Sequence, residues 1–248
     1  MHRIAAWTLA AVVIAVGSLP AIGVAAGVCP IRLPQGSEPV ALDPADFVGR
    51  IDNPYWPMAP GTRWVYRERD AKGDAQRVRV TVTSRTRDIL GIPATVVHDK
   101  VTEDGELVEN TFDWYAQDLC GNVWYMGENT KEYENGEVVS TAGSWEAGVD
   151  GAQPGVIMPV DPQVGLTYRQ EFYAGEAEDA AEVLSLDEQV QVPFGHFTDV
   201  LLTKDFTPLE PRVLEYKLYA IGIGPVLAVS VSGGSDREDL VRFVAPAA

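Results

Sequence analysis

Short runs in which every second residue is bulky and apolar recur along this chain, and they commit it to sheet. Arg77-Val-Arg-Val-Thr-Val-Thr83 sets a charge or hydroxyl against valine at each step, and Thr62-Arg-Trp-Val-Tyr-Arg67 alternates in the same way. A period of two sends successive side chains to opposite faces of a strand, so these runs are half-buried strands. Comparable β-branched and aromatic stretches occupy 94–102, 107–116, 122–127, 137–141, 168–173, 183–192, 197–205, 213–219, 226–231 and 240–244. Lys72-Gly73, Asp104-Gly105 and Asn135-Gly136 punctuate them as turns, because Gly and Asn accept positive φ. Short strands at this spacing predict an all-β fold with little helix: an antiparallel meander forming a barrel or strongly curved half-barrel. Only 176–186, rich in Ala, Glu and Leu, suits a helix equally well.

The chain divides into a leader, a lead-in and one β domain. Residues 1–26 read as a signal peptide: a short polar start with Arg3, an apolar stretch over 4–16, a break at Gly17 and Pro20, then Val24-Ala25-Ala26 before a cut. This places the mature protein in the periplasm or outside the cell, with no transmembrane segment after cleavage. Residues 27–60 are rich in Pro and Asp and predict an irregular surface lead-in. A single β domain fills 61–248. Within it, 143–165 carries five Gly and three Pro and predicts a long loop, a candidate lid over a binding site.

Charge is very unevenly placed. Of the 36 acidic residues, 21 lie between Asp99 and Glu188 with only three basic ones, a net of −18, whereas the rest of the chain sums to +1. Such a surplus excludes nucleic acid and anionic membrane surfaces as partners of that stretch. The expectation is a common acidic patch on the outer surface of the rolled sheet. Arg63 to Arg87 holds eight basic and three acidic residues and predicts a compensating basic stripe.

Two cysteines, Cys29 and Cys120, suit one disulfide in an oxidising compartment, tying the new N-terminus to the acidic stretch. The densest constellation runs from Asp113 to Glu128. Trp114-Tyr115 and Trp124-Tyr125 flank a turn, so each pair sends one ring to either face of the sheet. With Trp145 they form the candidate ligand-binding set, an aromatic and acidic platform for a small-molecule or lipid-like partner. The same turn offers oxygens for calcium from Asp113, Asp118, Asn122 and Glu128, although Leu119 and Cys120 depart from an EF-hand pattern. No Gly-x-Ser-x-Gly elbow, His-Glu-x-x-His helix or phosphate-cradling loop is present, and no residue stands out as catalytic.

Val192-Pro-Phe-Gly-His-Phe197 followed by Tyr219-Ala-Ile-Gly-Ile-Gly-Pro-Val226 resembles a paired C-terminal signature of an uncharacterised family of exported bacterial β-proteins. The resemblance implies a curved sheet distantly like the half-barrels of envelope lipid and lipoprotein carriers. It carries over no catalytic residue. The reading is an exported, non-catalytic binding protein for a small or apolar ligand. The alternatives are a calcium-stabilised structural protein and a carboxylate-dependent hydrolase acting on glycans.

Overall fold

A computed structural model describes residues 31–69 and 75–246. Among them the chain forms seventeen strands: β1 (Phe47–Val48), β2 (Arg63–Arg69), β3 (Ala75–Ile89), β4 (Ile92–Glu103), β5 (Glu106–Asp118), β6 (Val123–Asn129), β7 (Glu132–Glu134), β8 (Glu137–Ser140), β9 (Trp145–Glu146), β10 (Gln153–Met158), β11 (Thr167–Arg169), β12 (Glu171–Phe172), β13 (Ala180–Val192), β14 (Gly195–Phe206), β15 (Leu214–Ala220), β16 (Gly224–Ser232) and β17 (Arg237–Val244). The one helical element described is a 3₁₀ turn, Pro44–Asp46, capped by Asp43. Every pairing is antiparallel.

The strands follow a meander from β2 to β6 and another from β13 to β17. Pairing of β17 with β2 joins the two, with Leu240 opposite Tyr66 and Phe243 opposite Trp64. On the other side β10 pairs with β6 and with β12, and β11 pairs with β13, so the sheet rolls into a nearly closed barrel. Asp104-Gly105 and Asn135-Gly136 adopt the positive φ values that two-residue hairpins require. Lys72-Gly73 lies outside the described residues. The strand β13 begins at Ala180, so tertiary pairing overrides the helical composition of 176–186.

The segment 143–165 is not a loop throughout. It contains β9 and β10, and Trp145, Ala147, Ala152, Val156 and Met158 are buried. It is barrel wall, and Gly155 shows why a breaker belongs there. A Cβ on Gly155 would stand 2.2 Å from the Gln170 carbonyl oxygen and 2.7 Å from that of Arg169. Only a residue without a side chain lets β10 approach the backbone there.

Residues 31–60 run without regular structure outside the 3₁₀ turn and β1, and side-chain hydrogen bonds at Asn53 and Arg169 are among their anchors. Asn53 donates to the carbonyls of Gly121 (2.9 Å) and Pro159 (3.2 Å) and accepts from the Tyr55 and Trp56 amides. Buried Arg169 donates to the carbonyls of Gly36, Glu38 and Pro154. The signal-peptide reading falls on residues 1–26, outside the described residues. No helix among the described residues is long and apolar enough to cross a membrane.

Alternation on β2 and β3 turns Arg63, Arg67, Arg77 and Arg79 away from the interior, as the stripe predicted. Arg67 is directly opposite Arg77, and Arg79 opposite Lys100. Of this stripe, Arg87 pairs with Glu146 at 2.5 Å.

Candidate functional site

The same period of two that makes the strands decides what faces inward. On β2 the inward parity carries Trp64, Tyr66 and Glu68; on β4, Val97, Asp99 and Val101; on β5, Asp113 and Tyr115; on β15, Lys217 and Tyr219; on β17, Glu238 and Leu240. Together with Trp56 and Met58 of the lead-in, these strands border a partly open cavity of about 240 Å³ on the inner face of the barrel. That is room for roughly eight waters.

The cavity has two unlike ends. Trp64, Tyr115, Tyr219 and Pro225 sit close to strand termini at one end. The lead-in crosses there, held by the Gly222 amide donating to the Pro54 carbonyl at 2.8 Å. Trp56 lies between Tyr115 and Tyr219, with ring centroids 5.9 and 5.7 Å away. Gly224, with φ +106°, leaves space for it, since a Cβ would come within 3.1 Å of the Trp56 ring. Trp64 Nε1 donates to the Ile223 carbonyl (2.7 Å) and the Tyr66 hydroxyl to that of Pro225 (3.0 Å). The polar atoms of both rings are therefore spent on backbone, and the rings themselves are packed into the wall.

Charge takes over away from this end. Asp99, Asp113 and Glu238 line the cavity. Glu238 is directly opposite Glu68 on β2. Burial, then Asp113 and Glu109 nearby, pushes the Asp99 carboxyl up to about 8. Burial raises Asp113 to about 7, although the Tyr125 hydroxyl donates to it at 2.8 Å. Burial and then Asp113 and Glu171 lift Glu128, opposite Asp113 on β6, to about 9. Burial and then Asp99 and Glu68 raise Glu238 well above the usual carboxylate range. Oδ1 of Asp99 is shielded from solvent and has no hydrogen-bond partner among the described residues.

Lys217 is the one cation among the described residues that line this cavity, and it is already engaged. Its Nζ lies 3.0 Å from Asp205 Oδ2 and 3.1 Å from Glu215 Oε2. Burial alone would lower its pKa, but these carboxylates hold the ammonium charged. Asp205 is fixed in turn by the Thr203 hydroxyl at 2.6 Å and the Gln170 amide at 3.2 Å.

The acids of the rich stretch are therefore not one patch on the outer surface. Asp99, Asp113, Glu128 and Glu171 are raised by burial, and Glu171 accepts from Trp145 Nε1 at 2.8 Å. Asp118 is fully buried. The expectation fails because charge was summed along the chain, whereas position in a strand is set by parity.

The five aromatic candidates are split over different surroundings. Tyr115 lines the cavity and stacks on Tyr125, at 4.9 Å and 18°. Trp145 meets Tyr125 edge-on at 5.3 Å. Trp114 faces the other side of β5, under the Arg87 guanidinium at 4.4 Å, beside an open hollow of about 640 Å³ that Trp145 also borders. Trp124 is fully buried and packs on Phe47 of β1. Each Trp-Tyr pair does straddle the sheet, so the parity argument holds while the single platform does not form. Trp56, Trp64, Tyr66 and Tyr219 belong to the cavity and were not among the candidates.

The four calcium candidates do not converge. Asp118 Oδ1 accepts from the amides of Cys120, Gly121 and Asn122, and Oδ2 accepts from Asn122 Nδ2 and Trp124 Nε1, all within 3.0 Å. Both oxygens face donors, the wrong polarity for a cation. Asn122 Oδ1 accepts from the Val160 amide. Asp113 sits five residues away along β5, about 16 Å at the usual strand rise. No group of three or more candidate His, Cys, Asp or Glu ligands gathers among the described residues. Cys120 lies in the turn that Asp118 caps, and its expected partner Cys29 lies outside the described residues. His98 stacks on Phe112 at 4.5 Å and bonds Asn110, and His196 sits at the β13–β14 hairpin.

Two solved structures are similar to this chain over 77% of its length and 99% of their own. One is a protein of Bacteroides fragilis provisionally described as exported, with a YmcC-like fold, at TM-score 0.44 and 14% identity. The other is a provisional lipoprotein of Parabacteroides distasonis, at TM-score 0.39 and 13% identity. Likeness at this level carries no argument about function. No protein-family model and no curated protein matches the chain. The two segments that resemble the exported-family signature are hairpins here, 192–195 joining β13 to β14 and 220–224 joining β15 to β16.

Proposed function

We propose that this is an exported, non-catalytic protein that binds a small molecule inside the barrel. The observation that carries the reading is the cavity of about 240 Å³ left within the packed interior, walled by aromatic rings and carboxylates. Barrels of this size ordinarily fill their interior with side chains or reserve it for one small ligand. The carboxylate lining argues against a purely apolar or acyl-chain ligand, since burying unpaired acids against hydrocarbon is costly. The leader over 1–26, cleaved near Ala26, and a Cys29–Cys120 bridge belong to the same proposal and place the protein in the periplasm or outside the cell. The glycan-hydrolase alternative needs two carboxyls on opposite sides of a scissile bond. Asp113 and Glu128, the acids that register sets opposite each other, are cross-strand neighbours on one wall.

The test is ligand-observed NMR with a panel of neutral, anionic and cationic fragments, on the wild type and on Ala228→Phe. Ala228 lines the cavity on β16, so a ring there fills it. Fragments that bind the wild type and are lost in the filled variant are expected. If no fragment binds, or if binding survives the filling, the interior is not a binding site.

A further inference from the structure

The interior also specifies the charge of its occupant, an inference that rests on the binding reading above. We propose that the cavity takes a small organic cation of the ammonium type, its charge held by Asp99, Asp113 and Glu238 and its alkyl groups packed on the rings of Trp56, Tyr115 and Tyr219.

Three independent observations meet here. The first is the balance of charge on the walls. Asp99, Asp113 and Glu238 have no ion-pair partner among the described residues, and the one lysine of the lining is neutralised by Asp205 and Glu215, which bring two negative charges against its one. A cationic guest therefore meets three carboxyls with no competing cation, and its charge favours their ionised form inside a low-dielectric wall. The second is Asp99 Oδ1, a shielded acceptor left without a donor. Buried polar atoms are nearly always satisfied, so an orphan acceptor on a carboxyl that lines the cavity leaves a place for a donor, which an ammonium N–H supplies. The third is the aromatic end. Trp56 packs between Tyr115 and Tyr219, within 6 Å of each ring, and all three border the cavity, which gives it an aromatic edge against which alkyl groups on an ammonium can pack. The acids and rings adjoin, because Asp113 and Tyr115 are consecutive inward residues of β5. A bare metal ion fits less well: it leaves the rings unused, and no ligand cluster gathers among the described residues.

The experiment is calorimetric titration of the purified protein with choline and with phenethylamine, alongside 3,3-dimethylbutanol, the uncharged counterpart of choline. The amines are expected to bind saturably, with the neutral compound about tenfold or more weaker. Asp99→Asn combined with Glu238→Gln keeps the size of both side chains and is expected to weaken amine binding by about tenfold or more while the neutral compound is unaffected. Thermal melts of the double variant establish that it folds. Ala228→Phe is expected to abolish binding of all three. Equal affinity for choline and its neutral counterpart, or amine binding indifferent to the double substitution, overturns the cation assignment. If in that case the neutral compound is still lost on filling the cavity, the interior-binding reading survives alone. If nothing binds, both fall.

Discussion

Asp118 illustrates how a single carboxylate can be spent on architecture. Its two oxygens satisfy three backbone amides, the Asn122 side chain and the Trp124 indole, closing the β5–β6 turn from within. Removing it leaves three buried donors, the Asn122 amide and side chain and the Trp124 indole, without this acceptor, each costing about 1–3 kcal/mol before relaxation or water entry. Asp118→Ala is therefore expected to destabilise the protein by ~3 kcal/mol or more, measured by urea unfolding. Asp118→Asn should fall between the two, because its amide turns one acceptor into a donor pointed at Asn122 and Trp124. A variant as stable as the wild type would mean that the turn does not depend on this side chain. The sequence offered Asp118 and Asn122 as oxygen donors grouped around a turn, which is equally the pattern of a cation site and of a self-capped turn. What separates them is whether the oxygens face donors, and that is not written in residue identity.

At the scale of elements, alternation carried most of the information. The strands around 62–67, 77–83 and 107–116 and the turns at 104–105 and 135–136 were legible because side-chain period and turn chemistry agree locally. The wall over 143–158 was not, because Gly and Pro read as breakers wherever they fall. Gly155 is demanded by a contact with residues 169–170, and nothing near 155 announces that contact. This predicts a specific failure. Gly155→Ala drives a methyl against two carbonyl oxygens of a neighbouring element, so the seam between β10 and β12 must open. The expected loss is about 1–3 kcal/mol, with amide exchange faster at 153–158 and 171–172 than in the β3–β4 hairpin. Unchanged exchange at the seam together with wild-type stability would contradict the closure described above. The inward acids were legible in principle too: Glu68 follows Tyr66 by two, Asp99 lies between Val97 and Val101, and Glu238 precedes Leu240 by two. An acid on the apolar parity of a strand is the signal, and a tally of charge along the chain averages it away.

For the whole molecule, carboxyls gathered in an interior make stability fall as pH rises. In the unfolded chain such acids lose their protons near pH 4, whereas in the folded barrel Asp113, Asp99 and Glu128 keep theirs to about 7, 8 and 9. Between these limits the folded state binds more protons than the unfolded one, so the stability present below pH 4 is progressively lost and reaches its floor near pH 9. Without a bound cation, the melting temperature is expected to drop from about pH 5 to about pH 9, by on the order of 5 °C or more. Asp99→Asn and Glu128→Gln should each flatten the slope. A melting temperature that rises over this range would show that the inward acids are ionised and compensated.

The barrel closes where β17 meets β2, strands separated by most of the described chain. Nothing closes the barrel around the cavity until β17 has been delivered, so a chain that emerges from its N-terminus stays open until that strand arrives. A product cut short before Arg237 would keep many of its hairpins, yet it would possess no inside, and β2 would be left as a bare edge inviting other chains to pair with it.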